Sequence, residues 1–221
     1  MSFYSVVGGW TVAYLIKAAT GSLAGSGATA AQFTEQFGQF IGNPFESILY
    51  YMIFTLLTVG IVIGGVQKGI ENLAKYLMPG LFILLLVLVG RALTLEGAIQ
   101  GVAYFVTPDF SKVTPAMLID ALGLALFSLS LGMGIMLPYG SYVSKSANLF
   151  SSSIWVIFLT ILMCFLSGLM ILPAVFAFGF DPAAGPGLTF ITMPAIFAQM
   201  PMGGLFATLF FVLLLVAALT S

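Results

Sequence analysis

The chain has 221 residues, of which 61% are hydrophobic and only 6% are charged, and its formal net charge is −1. Soluble domains carry about 25% charged residues, so this composition predicts a membrane protein. The sequence has no basic cluster to bind nucleic acid, and with no His and a single Cys164 it offers neither a disulfide framework nor zinc ligands.

Hydropathy along the chain predicts an all-α, polytopic transmembrane bundle. A membrane span needs roughly 20 apolar residues. The apolar stretches predict spans at about 1–20, 46–66, 76–95, 117–145, 151–178 and 203–221. The first span has no polar segment before it and the last has none after it, so we expect the chain to begin and end inside helices.

Three longer segments, 21–45, 96–116 and 179–202, are predicted to be loops between the spans. The first is rich in Gly, Ala, Ser and Gln and indicates a flexible polar loop, whereas 179–202 is apolar enough to lie against the bundle. The other loops, 67–75 and 145–150, hold Lys68, Lys75 and Lys145. An excess of Lys and Arg marks cytoplasmic loops, so the three long segments are predicted to face outward.

Two features interrupt the predicted spans: a proline and a cluster of Ser and Gly residues. Pro79 predicts either a weak point in the third span or simply the start of a helix. In the fourth span, Ser128, Ser130, Gly132 and Gly134 lie together at the depth of the hydrocarbon. A break there survives only against protein or a polar cavity, where the freed backbone groups bind ions and charged ligands. The alternative is a kinked helix whose Ser hydroxyls bond to its own backbone.

Several stretches resemble the neurotransmitter:sodium symporters, a family that includes bacterial amino-acid transporters of the leucine-transporter type. The resemblance runs through the whole chain in the family's order and spacing. The similar stretches are 3–11 (FYSVVGGWT), 68–71 (KGIE), 107–110 (TPDF), 127–134 (FSLSLGMG), 139–143 (YGSYV), 193–197 (MPAIF) and 217–221 (AALTS).

The resemblance implies an inverted-repeat fold of the leucine-transporter type, incomplete at both ends. The chain corresponds to the family's third through eighth helices, so we expect a fragment of a larger transporter, without the first two helices and the helices after the eighth. It also implies alternating access, in which one helix bundle rocks against the rest.

Roles for individual residues follow from the same resemblance. Tyr4 matches the tyrosine that holds the substrate carboxylate, and Phe127 also matches the aromatic lid of the substrate pocket. The full set is Tyr4, Val7, Phe127, Ser128, Ser130, Met133 and Ser221 for substrate; Ser128 and Thr160 for a first sodium ion; Ala217, Thr220 and Ser221 for a second sodium ion; and Phe127, Tyr142, Gly69 and Pro79 for gating.

Three residues depart from the family pattern. Thr160 stands where an Asn or Asp usually ligates the first sodium, Leu124 replaces a polar residue, and Cys164 stands where other members carry an acid or a Ser. These changes leave the first sodium site and chloride dependence open, while the second sodium site keeps its ligands. We therefore expect coupling mainly through the second site.

The predicted function is sodium-coupled symport of an amino acid or related small zwitterion across the cytoplasmic membrane, as part of a longer chain. The expected partners are the substrate, sodium, the lipid bilayer and the missing helices; no covalent cofactor is expected. The alternative is a truncated fragment or partner subunit without transport of its own. An enzyme is disfavoured because the sequence has no His and no intramembrane carboxylate pair.

Overall fold

The computed structural model describes residues 2–23, 30–64, 72–132, 134–180 and 187–220, and within these ranges the chain is helical without β-strands. The fold class predicted from the sequence is therefore confirmed. In chain order the elements are α1 (Ser2–Ala19), α2 (Ala30–Gly42), α3 (Pro44–Ile63), α4 (Asn72–Leu93), α5 (Ala98–Val106), a 3-10 turn (Phe110–Lys112), α6 (Pro115–Ser128), α7 (Met136–Tyr142), α8 (Leu149–Ala177), a π-helical turn (Leu188–Thr192), α9 (Met193–Gln199) and α10 (Gly203–Thr220).

Three of the described helices are long and apolar enough to cross a membrane: α3, α4 from Ala74 onward, and α8. Polar residues fix where the apolar helices begin. Asn43 accepts a hydrogen bond from the Glu46 amide ahead of α3, and Thr114 accepts one from the Met117 amide ahead of α6. Such caps satisfy one of the amides that a helix start leaves unpaired.

The core lies where α1, α4, α8, α9 and α10 meet. Helix α1 packs against α3 on one side and α10 on the other, α10 also packs on α4, and α8 packs on α4 and α5. The largest fully buried side chains include Tyr14, Leu85, Met193 and Phe211. This packing places α1 between two apolar neighbours, which fixes the helix that carries Tyr4 and Val7.

Two glycines allow α1 to approach α3 closely. A Cβ atom on Gly8 would lie 2.6 Å from the ring of Phe54, and one on Gly9 would lie 2.7 Å from the Tyr51 amide nitrogen. Contacts this short are essentially never seen for real Cβ atoms. Helix pairs in membranes use small residues in this way because close backbones gain van der Waals contact.

Each segment that was predicted to be a long loop contains a helix. The prediction of a flexible polar loop at 21–45 is wrong for residues 30–42, which form α2. Phe33, Phe37 and Phe40 recur at helical spacing, and Phe33 and Phe40 are fully buried. The ring of Phe37 contacts Trp10 at 5.4 Å, so burial of aromatic side chains outweighs the small polar residues between them.

The other two predicted loops differ in the same way. Helix α5 lies in 96–116 and packs on α8, while the π-helical turn and α9 lie in 179–202. Residues 192–197 are buried, so this segment lies inside the fold. Whether these segments face outward stays a prediction.

Candidate functional site

The predicted break in the fourth span lies between α6 and α7. Helix α6 ends at Ser128 in a Schellman motif: the Leu131 amide donates to the Leu126 carbonyl (2.8 Å) and the Ser130 amide to the Phe127 carbonyl (3.0 Å). These bonds pair carbonyls that a helix end leaves without intrahelical partners. The chain therefore stops being helical here through a defined backbone motif.

Ser130 occupies the position that Gly usually takes in this motif. Its φ is +55°, in the left-handed region, and Gly132 and Gly134 follow with φ of +80° and +76°. A non-glycine residue in this region costs on the order of 1 kcal/mol and is enriched at binding sites. Helix α7 then begins at Met136. The Ser and Gly residues that predicted the break are thus those that form it.

Most residues of the break are exposed in the described structure, and Ser130 is half-buried. All of α6 is exposed, with Phe127 62% exposed, and α7 is exposed wherever its side chains are described. Neither helix is among the pairs that pack extensively. The break therefore presents Phe127, Ser128 and Ser130 without bringing them against α1 or α10.

Helix α1 carries the other predicted substrate residues and brings them to α10. The Tyr4 hydroxyl donates a hydrogen bond to the Ala218 carbonyl at 3.1 Å. Val7 packs against the core, and so does Ala217, the predicted second-site sodium ligand next to Ala218. The structure thus joins the predicted carboxylate-binding tyrosine to the helix that carries the predicted second sodium site.

The remaining predicted residues are spread over other elements. Thr160 lies half-buried on α8, and Tyr142 is the exposed last residue of α7. Pro79 lies in the interior of α4, which already begins at Asn72, so it does not start a helix. Met133, Gly69, Ser221 and the side chain of Thr220 lie outside the described residues.

Two ion pairs of the described residues involve none of the side chains predicted for the site. Lys17 and Glu46 form an ion pair at 3.1 Å between α1 and α3, and the Lys17 ammonium lies 4.6 Å from the centre of the Phe40 ring. In the segment between α5 and α6, Asp109 accepts hydrogen bonds from the Ser111 hydroxyl and amide and pairs with Lys112. Hydrogen bonds from Ser111, joined by Lys112, lower the pKa of the Asp109 carboxyl.

A separate cavity of about 220 Å³ is apolar. It is lined by residues of α1, α9, α10 and the turns that follow α1 and α9, among them Ala18, Phe197, Met200, Gly203 and Ala207, and by none of the predicted site residues. The described residues contain no group of His, Cys, Asp and Glu that could hold a metal ion. The oxygen groups predicted for sodium are hydroxyls and carbonyls, which suit a small alkali cation.

Two of these contacts are not predictable from the sequence. No side-chain pattern marks the Ala218 carbonyl as an acceptor, because every residue carries a carbonyl. The Lys17–Glu46 pair joins residues far apart in sequence. The helical spacing of Phe33, Phe37 and Phe40 in the sequence does predict helix α2, which places the Phe40 ring beneath the Lys17 ammonium.

A family model and two similar relatives indicate the same protein family. A model of the sodium:neurotransmitter symporter family matches residues 34–221. The chain is 46% identical, over its full length and 49% of the relative, to the uncharacterized sodium-dependent transporter YhdH of Bacillus subtilis. It is 41% identical, with the same coverage, to an uncharacterized sodium-dependent transporter of Haemophilus influenzae.

The fold is also similar to a solved structure. The crystal structure of MhsT in complex with L-phenylalanine matches with a TM-score of 0.89 and 42% identity, over 100% of this chain and 50% of that one. The chain thus spans about half the length of the relatives it matches.

Proposed function

The chain belongs to the sodium:neurotransmitter symporter family, and from this premise we propose that its 221 residues form part of a longer sodium-coupled symporter for an amino acid or a related small zwitterion. The observation that carries the proposal is the likeness to MhsT, which was solved with L-phenylalanine and matches this chain over its full length. The three helices long and apolar enough to cross a membrane support a membrane location. The proposed location is the cytoplasmic membrane, with the Lys-containing loops 67–75 and 145–150 on its inner side.

The proposed substrate site combines α1 with the break after α6. Tyr4 would donate to the substrate carboxylate, while Val7, Ser130 and Met133 line a roomy apolar pocket beneath Phe127. Ser128 and Ser221 complete the set. Support comes from the strained Ser130 backbone and from Tyr4, a residue that is 38% exposed and so borders open space. In this proposal, the segments that bring the break against α1 belong to the longer protein.

Sodium binds, in this proposal, at two sites of unequal quality. The second site uses Ala217, Thr220 and Ser221 at the end of α10, with ligand types that suit sodium. The first site uses Ser128 and Thr160, where Thr160 supplies a hydroxyl in place of the amide or acid of other family members. Coupling is therefore expected mainly through the second site, and chloride is left open because Leu124 and Cys164 depart from the family pattern.

Gating would follow the rocking of helix bundles. Phe127 is proposed as the outer lid and Tyr142 as part of the inner gate. Gly69 and Pro79 flank the start of α4, and Pro79 removes the amide that would pair with the Lys75 carbonyl. This weak point would let water reach the site from the inside.

Sodium titration of uptake tests the coupling proposal. The full-length protein that contains this sequence is reconstituted in proteoliposomes, and L-phenylalanine uptake is measured against sodium concentration, with choline as the replacement cation. We expect a Hill coefficient near one; a coefficient near two would contradict coupling through a dominant second site.

The competing proposal is a natural short product that does not transport. We expect an antibody raised against residues 30–42 to detect, in native membranes, a band about twice the 23.4 kDa of this chain. We also expect the isolated 221 residues not to bind L-phenylalanine. A native band at 23.4 kDa would favour the short form, and saturable sodium-dependent binding by the isolated chain would show that the site needs no further segment.

A further inference from the structure

One hydrogen bond ties the proposed substrate helix to the proposed sodium helix. The Tyr4 hydroxyl donates to the Ala218 carbonyl at 3.1 Å, and this hydrogen bond joins residues far apart in the chain. Helices α1 and α10 pack along each other, with the rings of Tyr14 and Phe211 5.3 Å apart. A backbone carbonyl has two lone pairs, so the Ala218 oxygen keeps a second acceptor position beside this bond.

The hydroxyl of Tyr4 has one proton and two competing acceptors. A phenol donates a single hydrogen bond, so Tyr4 cannot donate to the Ala218 carbonyl and to a substrate carboxylate at the same time. Hydrogen bonds to ionised acceptors are roughly twice as strong as those between neutral groups. We infer that the Tyr4 hydroxyl is a coupling switch. When sodium occupies the second site, the hydroxyl stops donating to the Ala218 carbonyl and donates to the substrate carboxylate instead.

Electrostatics gives the direction of the coupling. Ala218 lies between Ala217 and Thr220, two of the proposed second-site ligands, so the positive end of the Tyr4 O–H dipole points at the segment that would hold the cation. A sodium ion there repels the positive end of that dipole and so weakens this bond. Sodium thereby releases the hydroxyl for the substrate, and by linkage the substrate tightens sodium binding by the same factor. The inference rests on the proposed function.

A comparison of two tyrosines tests the switch. In the full-length protein, the sodium dissociation constant is measured with and without saturating L-phenylalanine for the wild type, Tyr4→Phe and Tyr14→Phe. Tyr14 is the matched control because it lies on the same helix, is fully buried, and its hydroxyl has no partner among the described residues. The same measurement with phenethylamine, which lacks the carboxylate, isolates the contribution of that group.

We expect Tyr4→Phe to reduce the factor by which L-phenylalanine tightens sodium binding by about two- to tenfold, the range of one net hydrogen bond. Tyr4→Phe should bind sodium alone at least as tightly as the wild type, whereas Tyr14→Phe should change neither quantity. With phenethylamine, the wild type and Tyr4→Phe should give the same factor. A second variant keeps Tyr4 and replaces the 218–219 amide with an ester, which weakens the Ala218 acceptor; its factor should fall as well.

The failures of the two proposals are distinguishable. If Tyr4→Phe weakens L-phenylalanine binding but keeps the full tightening factor, and the ester variant also keeps it, the hydroxyl serves the substrate alone and the switch is refuted. If the wild type itself shows no sodium-dependent L-phenylalanine binding, the proposed function fails and the switch with it.

Discussion

Replacing Gly9 with Ala tests the packing that positions α1. The added Cβ atom would lie 2.7 Å from the Tyr51 amide nitrogen and 2.8 Å from the Tyr51 Cα. Ordinary van der Waals contact begins at 3.4 Å, so α1 and α3 would have to separate by 0.7 Å (3.4 − 2.7). The contacted atoms belong to the backbone and cannot rotate away. Overpacking of this kind costs about 1–3 kcal/mol, which corresponds to about 2–12 °C in melting temperature for a chain of this size.

Thermal unfolding in detergent, followed by far-UV circular dichroism, measures this effect. Gly60→Ala on α3 is the matched control, because Gly60 is exposed and nothing described lies within 4 Å of its added Cβ atom. This control should leave the melting temperature unchanged or raise it, since Ala favours helix over Gly. If the two variants shift the melting temperature equally, or if Gly9→Ala raises it, α1 and α3 do not pack as described.

Three further predictions concern the break and the charged groups. Ser130→Gly should stabilise the protein by about 1 kcal/mol, because glycine adopts the left-handed backbone conformation without strain. Ser130→Ala should not stabilise it, and equal melting temperatures for the two variants would contradict the strain. Lys17→Met should destabilise the protein by about 1 kcal/mol, more than Lys112→Met, because the Lys17 pair is far less exposed; equal losses would refute this. The lowered pKa of Asp109 means that its stabilising contribution is present above its unfolded pKa and is lost as pH falls below about 4. Asp109→Asn should therefore lose this part of the acid dependence, and an unchanged pH profile of melting would contradict it.

The break between α6 and α7 shows what a sequence can reveal about this fold. Gly and Ser at hydrocarbon depth contradict a closed helix, and the left-handed φ values of Ser130, Gly132 and Gly134 are the structural counterpart of that contradiction. The signal is local, so one sequence suffices to find it. The partner of the break was not predictable from the same residues, because packing depends on distant segments.

Helix α2 shows where composition misleads. Counting small and polar residues in 21–45 predicts a flexible loop, whereas the period of Phe33, Phe37 and Phe40 predicts a helix with one buried face. The burial of Phe33 and Phe40, and the contacts of Phe37 and Phe40 with rings of α1 and the π-helical turn, decide the outcome. Periodicity carries more information than composition in a segment of this length.

For the site, the sequence indicates which residues are involved but not which groups they contact. Tyr4 can be identified from the sequence through the family resemblance, but its hydrogen bond to Ala218 cannot, because the acceptor is a backbone atom on a distant helix. The Lys17–Glu46 pair is likewise a product of tertiary packing. Residue types thus indicate which chemistry is available, and the fold decides which groups meet.

Gradient-driven uptake tests the central claim most directly. The full-length protein is reconstituted in proteoliposomes, and L-phenylalanine accumulation is measured with an inward sodium gradient and again with equal sodium on both sides. The account predicts accumulation above the external concentration only with the gradient, and its loss when choline replaces sodium. Equal uptake with and without the gradient would contradict sodium-coupled symport.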